Sequence, residues 1–190
     1  MLVDESIIEG CIAGKRDAQS ALYRKYASVM MAICLRYAQS RDEAEDILSE
    51  AFLKIFMNIR TYRSEGSFEG WMKRIMINHA LNYYRKSRKN PFLEDINDIN
   101  ERDILNDETP QAEHAPVSAE VLVALVQTLP KGYRMVFNLY VFEEYSHKEI
   151  SVMLNISENT SKTQLLKARK MLRRKLFERN LLKNVINSNE

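Results

Sequence analysis

A chain of 190 residues can form one large domain or two small ones, and 45% hydrophobic with 28% charged residues is enough to build cores under a charged surface. Only five glycines and four prolines argue against a turn-rich β fold, and no apolar run approaches the roughly 20 residues of a membrane span. A net charge of +2 conceals segregation: residues 1–90 carry 15 Lys/Arg against 11 Asp/Glu, residues 91–120 one against nine, and residues 121–190 12 against six. Two basic blocks around an acidic middle predict a polyanion partner for the blocks and its repulsion by the segment between them.

The N-terminus carries Asp4, Glu5 and Glu9, unlike a signal peptide, and a first helix is expected from Asp4 to about Ile12. Gly14-Lys15-Arg16 ends it, and Asp17 is expected to cap a second helix with Leu22, Tyr26, Val29, Met30, Ile33 and Tyr37 at helical spacing. Cys11 and Cys34 fall within these apolar patterns and are expected as buried free thiols in a reducing, cytoplasmic setting. Ser40-Arg41-Asp42-Glu43 is a capping-box signature opening a third helix, whose apolar stripe is Ala44, Ile47, Leu48, Ala51, Phe52, Ile55 and Ile59. The opposite face holds Asp42, Asp46, Ser49, Glu50, Leu53 and Met57. Acids beside exposed apolar residues suit a basic protein partner and not DNA.

After a polar break from Thr61 to Gly66, Ser67 is expected to cap a fourth helix running to about Lys89. Met72, Ile75, Met76, His79 and Tyr83 form its expected buried stripe, with His79 a core histidine. Arg74, Asn78, Arg85 and Arg88 lie opposite, and Lys73 and Lys86 widen the cationic area. Phe68 and Trp71 add aromatic rings to this basic surface, a combination that suits unstacked single-stranded bases as well as plain core packing. Residues 90–117, with Asn90-Pro91 at one end and two X-Pro steps at the other, are expected as an acidic linker without a core of its own.

The last third is expected to be helical again: Ser118 to Leu129, stopped by Pro130, then Lys131 to Glu143 with Tyr133, Val136, Phe137 and Tyr140 on its apolar side. Ser146-His147-Lys148-Glu149 is a second capping box, opening a short helix to about Leu154. Asn155 stands where a left-handed residue would end it, and Ser157 caps a final helix from Glu158 to about Arg179. A short capped helix, a tight turn and a longer basic helix are the parts of a helix-turn-helix. Leu165, Ala168, Leu172 and Leu176 mark the core face of the final helix; Asn159, Thr163, Lys167, Lys170 and Arg174 lie opposite, placed to reach base edges and phosphates. No metal-ligand spacing or glycine-rich phosphate loop occurs, and the three histidines are scattered, so neither an enzyme nor a cofactor is expected. Charge and motif alone leave several readings open: a DNA-binding protein with a separate face for a protein partner, a stand-alone helix-turn-helix regulator of duplex operators, or a helical adaptor with no DNA role.

Asp17-Ala18 through Tyr26, Asp42 to Ile47 with Glu50 to Leu53, Phe68 to Met72 with Ile75, Asn78 and Arg85, and Leu129-Pro130, Arg134, Phe137, Leu139, Ser146, Glu149-Ile150, Ile156-Ser157 and Thr160 through Arg169 together resemble a bacterial sigma factor of the sigma-70 family, in its short extracytoplasmic-function group. The resemblance covers about residues 10–90 and 120–178. It implies an all-α fold of two small helical domains joined by a flexible acidic linker: a four-helix region 2-like domain at 1–89, the linker at 90–117, a four-helix region 4-like helix-turn-helix domain at 118–180 and a tail at 181–190. Asp42, Asp46, Ser49, Glu50, Leu53 and Met57 would bind the β′ clamp coiled coil of RNA polymerase core, with the β flap as a further core contact. Phe68, Trp71, Lys73, Arg74, Asn78, Asn82, Arg85, Lys86 and Arg88 would take the non-template strand of the −10 element. Asn159, Thr160, Lys162, Thr163, Gln164, Lys167, Lys170 and Arg174 would read the −35 duplex. The linker would lie in the path of nascent RNA, and an anti-sigma factor is a further partner the resemblance implies; a membrane and a small-molecule substrate are not. Four positions depart from the family pattern: Ser49 for Gln, Asn82 for Asp, Ser161 for Val and Gln164 for Arg.

Overall fold

Helix α1 (Leu2–Ile12) turns at Gly14, φ +73°, into α2 (Arg16–Tyr37). A Cβ on Gly10 would stand 2.6 Å from the Cβ of Ala18, so only glycine lets the two helices approach this closely at that point. The structure, a computed structural model, describes residues 2–85 and 118–187, in which every regular element is helical. The chain divides into two compact units, residues 1–86 and 87–190. The expected linker, together with Lys86 and Arg88, lies outside the described residues.

Helix α2 begins one residue before the expected cap. Lys15 is the N-cap without a side-chain bond, and Asp17 sits in the first turn, where its carboxylate complements the positive end of the helix. At the start of α3 (Arg41–Asn58) the Ser40 hydroxyl accepts the Glu43 N–H at 3.1 Å. The Glu43 carboxylate, however, accepts from the Gln39 N–H and from the Tyr84 hydroxyl, each at 2.7 Å. The capping residue thereby ties the N-terminus of α3 to the far end of α4. A 3-10 turn (Ile59–Thr61) and a polar loop lead to α4 (Phe68–Arg85), where the Ser67 hydroxyl accepts the Gly70 N–H at 3.0 Å.

All seven residues of the expected α3 stripe are buried. The expected α4 stripe is only partly right: Met72, Met76 and His79 are buried, but Ile75 and Tyr83 are half-buried, while Ile77, Ala80, Leu81 and Tyr84 are buried. Because α4 packs against both α2 and α3, it buries an arc wider than one stripe. Val29 of α2, expected inside, is 41% exposed. Both cysteines are free and buried; burial pushes the Cys34 thiol up to about 12, and its Sγ rests 3.3 Å from Met76 Sδ, so it serves as a small core residue.

In the second unit, Ser118 caps α5 (Ala119–Gln127). Helix α6 (Lys131–Phe137) widens into a π-helical turn (Asn138–Phe142), which completes the span expected as one helix. Tyr133, Val136 and Phe137 are buried as expected, whereas Tyr140 is half-buried. The guanidinium of Arg134, wholly buried, donates to the Gln127 carbonyl at 3.0 Å and so ties the end of α5 to α6. Helix α7 (His147–Leu154) and α8 (Glu158–Asn187) follow. Helix α8 runs past its expected end near Arg179 to Asn187: no glycine or proline follows Pro130 apart from Gly132, so nothing stops it earlier. Among the described residues no helix is long and apolar enough to cross a membrane.

Candidate protein and nucleic-acid interfaces

The outward face of α3 is as the sequence predicts. Asp42, Asp46, Ser49 and Glu50 are exposed, and Leu53 and Met57 are 63% and 81% exposed. Two large apolar side chains this open, rimmed by carboxylates, make a surface for a partner with apolar contacts and positive charge. Behind the acids stands α4. Burial, followed by the carboxylates of Glu43, Asp46 and Glu50, pushes the Tyr83 phenol up. His79, 3% exposed, reaches Glu50 and Lys54 from beneath.

On α4, Arg74, Asn78, Asn82 and Arg85 are exposed, and Arg85 donates to Asn82 Oδ1 at 3.3 Å. Lys73 is half-buried and paired with Glu69 at 2.7 Å, so part of its charge is already answered. Phe68 is a correction: it is buried and lies under the surface, with its ring stacked 5.4 Å from Trp71 and Tyr62 edge-on to it at 5.0 Å. Trp71 is half-buried and alone of the two borders an open cleft of about 370 Å³, lined also by Tyr62, Arg63, Glu65, Ser67 and Arg74. The Tyr62 hydroxyl donates to the Gly66 carbonyl at 2.8 Å and holds the loop that walls the cleft. Tyr62 and Arg63 were readable only as part of a polar break; an aromatic-basic pair just before a helix start was the available signal.

The helix-turn-helix is α7, Asn155 to Ser157, and α8. Ser146 and Glu149 form a complete capping box, Asn155 is left-handed at φ 54°, ψ 50°, and Ser157 accepts the Thr160 N–H at 3.0 Å. On α8, Asn159, Lys162, Thr163 and Arg174 are exposed and Thr160 and Lys170 half-buried. Gln164 and Lys167 are not on the expected face: they are 1% and 5% exposed and line, with Tyr133 of α6, a cavity of about 210 Å³. The buried arc of α8 extends onto the flank where they stand, because α6 as well as α7 packs on it. Among the exposed cations missed by the sequence reading are Arg169 and Arg173, which follow Lys162 at helical spacing through Leu166.

Ser161, a departure from the family pattern, has a partner. It is fully buried and its hydroxyl is 2.9 Å from His147 Nδ1, while the imidazole stacks on Tyr140 at 4.7 Å. Burial and then Lys162, with a smaller push from Arg169, hold His147 below the usual imidazole range against the opposing pull of Glu158. The folded state therefore binds fewer protons here than the unfolded chain. The stabilisation is present above the unfolded value of about 6.5 and is lost as pH falls through the lowered folded value. Protection factors for amide exchange over 147–172, corrected for the intrinsic slowing of base-catalysed exchange, are expected to fall as pH is lowered below about 6.5, and His147→Gln to flatten that dependence; identical corrected profiles would remove His147 as its source.

Two family models match the chain: Sigma-70 region 2 over residues 22–90 and Sigma-70, region 4 over residues 119–172, together well over half of it. The ECF RNA polymerase sigma-E factor of Haemophilus influenzae is 28% identical over 92% of this chain and 96% of its own. The ECF RNA polymerase sigma factor SigM of Bacillus subtilis is 28% identical over 80% of this chain and 91% of its own. The fold is similar to that of the sigma factor RpoE from Bartonella quintana, solved with the anti-sigma factor NepR: TM-score 0.50, 14% identity, 84% of this chain and 96% of that one. Helices α2, from residue 22, to α4 fall in the first match and α5 to α8, as far as residue 172, in the second, in the order that the family's two regions take. The chain belongs to the sigma-70 family of RNA polymerase sigma factors, in its extracytoplasmic-function group.

Proposed function

We propose that this sigma factor, which directs RNA polymerase to promoters, divides the task among its three surfaces. Asp42, Asp46, Ser49, Glu50, Leu53 and Met57 on α3 bind core polymerase at the β′ clamp coiled coil. The Trp71 cleft receives an unstacked base of the −10 non-template strand, while Arg74, Asn78, Asn82 and Arg85 follow its backbone. Asn159, Thr160, Lys162 and Thr163 at the start of α8 enter the −35 major groove, with Lys170, Arg174, Arg169 and Arg173 near phosphates.

In this reading residues 1–89 and 118–180 are the two working domains, and the acidic segment 90–117 spans the interior of a cytoplasmic polymerase, where RNA later displaces it. The chain performs no turnover chemistry of its own; it contributes binding and promoter melting. The second domain also meets the β flap, and an anti-sigma protein would compete for the same exposed apolar residues. The observation that carries the proposal is the α3 face: a stand-alone duplex binder has no use for Leu53 and Met57 held open among acids.

The test is reconstitution. Core polymerase mixed with the purified chain and a promoter library is expected to yield promoter-dependent run-off transcripts and to comigrate with the chain. Failure of both would sink the proposal, and tight palindromic duplex binding without core would replace it with a free-standing regulator.

A further inference from the structure

We propose that His79 is a positioning residue for polymerase binding, a buried imidazole on α4 that holds Glu50 of α3 in place for the partner. The inference rests on the reading of α3 as the core-binding face. The ring is 3% exposed, yet both its nitrogens serve the surface: Nδ1 is 2.8 Å from Lys54 Nζ, and Nε2 is 3.1 Å from Glu50 Oε2. Glu50 and Lys54 are one turn apart on α3, and the Glu50 side chain is 56% exposed.

The chemistry assigns the ring proton. An ammonium has three donors and no acceptor, so Nδ1 meets Lys54 with its lone pair. The neutral ring then carries its hydrogen on Nε2, facing the Glu50 carboxylate, a close contact whose N–H is not well aligned with the oxygen. Lys54 thus fixes the tautomer, and the tautomer presents a donor to Glu50. One carboxylate oxygen is drawn to a rigid core group while the side chain stays open to a partner.

A long carboxylate on an exposed helix otherwise samples several rotamers and loses them on binding. Anchoring it beforehand lowers that cost, an effect of roughly five- to tenfold in affinity for one or two ordered side chains. The same contact links the polymerase face to α4, the helix assigned to the −10 strand.

The experiment compares two polar replacements of similar size in the full chain, with core affinity as the readout and thermal melting as a check on folding. His79→Gln can keep a donor where Nε2 stands, toward Glu50; His79→Asn can keep an acceptor where Nδ1 stands, toward Lys54, and loses the donor. Core affinity is expected to survive in His79→Gln and to fall roughly five- to tenfold in His79→Asn. In a Glu50→Gln background, where no anion remains to be anchored, His79→Asn is expected to have no further effect. Equal affinity of the two variants, or a loss undiminished in the Glu50→Gln background, would overturn the proposal. Asp46→Lys, which leaves the imidazole contacts alone, separates the levels. If it weakens core binding while His79→Asn does not, only the positioning role fails; if it too has no effect, the α3 reading fails and takes this inference with it.

Discussion

Reversing two charges on α3, Asp46→Lys with Glu50→Lys, is expected to lower the affinity for polymerase core by ~100-fold or more and to abolish promoter-dependent run-off, with helical content unchanged. Both side chains are exposed, so neither fills space in the core of the first unit, although Glu50 touches the buried His79. Their carboxylates rim the apolar pair Leu53 and Met57, and a basic partner docking on that pair would meet two cations in place of two anions. Like charges brought together at an interface cost several kcal/mol, which is why the expected loss exceeds that for simple neutralisation. Asp46→Lys alone gives the cleaner single measurement, because Glu50→Lys also sets a third basic group beside His79 and Lys54. Salt should weaken the wild-type complex more than the doubly reversed one, since the attraction being removed is a screened surface interaction. Binding of −35 duplex, a property of the other unit, serves as the control for correct folding. Core affinity within a factor of two of wild type would remove α3 as the polymerase face.

The apolar stripe of α3, the capping residues Ser40, Ser146 and Ser157, the left-handed Asn155 and the open Leu53 and Met57 were all legible, because each depends on spacing within one helix or turn. What failed depends on how many neighbours a helix has. A wheel drawn for one buried stripe placed Lys167 on the DNA side of α8 and Ile75 inside α4; a helix packed on two sides buries a wider arc, taking in Lys167, Gln164, Ile77 and Leu81. Long side chains such as Lys167 disguise this further, since their stems pack well while their type reads as surface. Partnerships across sequence were also hidden. Nothing local marks Glu43 as the acceptor for Tyr84, 41 residues away, or Ser161 as the partner of His147. Ser161, where the family pattern has Val, is in the structure half of a part-buried polar pair joining α7 and α8.

Replacing Trp71 by alanine is expected to reduce open-complex formation by ~10–100-fold while leaving core affinity and −35 duplex binding intact, the range given by loss of one base–aromatic stack. The indole is held on one side by Phe68, stacked at 5.4 Å, and flanked by Tyr62 at 5.7 Å, so its orientation is set before DNA arrives. Its remaining surface borders the cleft of about 370 Å³, within the size range of small-ligand sites, and Arg63 and Arg74 supply positive charge at the rim. A base leaving the duplex forfeits a few kcal/mol of stacking and pairing, and a fixed aromatic wall in a cationic cleft returns part of it. Phe68 cannot substitute, because it is buried beneath the indole. Permanganate reactivity of thymines in the −10 element measures opening directly, and Trp71→Phe, which keeps a ring over Phe68, should recover much of the signal. Since Trp71 is the sole tryptophan, its fluorescence offers a second readout. Adding single-stranded −10 oligonucleotide to the holoenzyme should change the part of the signal missing from the Trp71→Phe holoenzyme. Unaltered permanganate reactivity in Trp71→Ala, with duplex binding preserved, would mean that the cleft takes no base and that melting is driven from the arginine face of α4 alone.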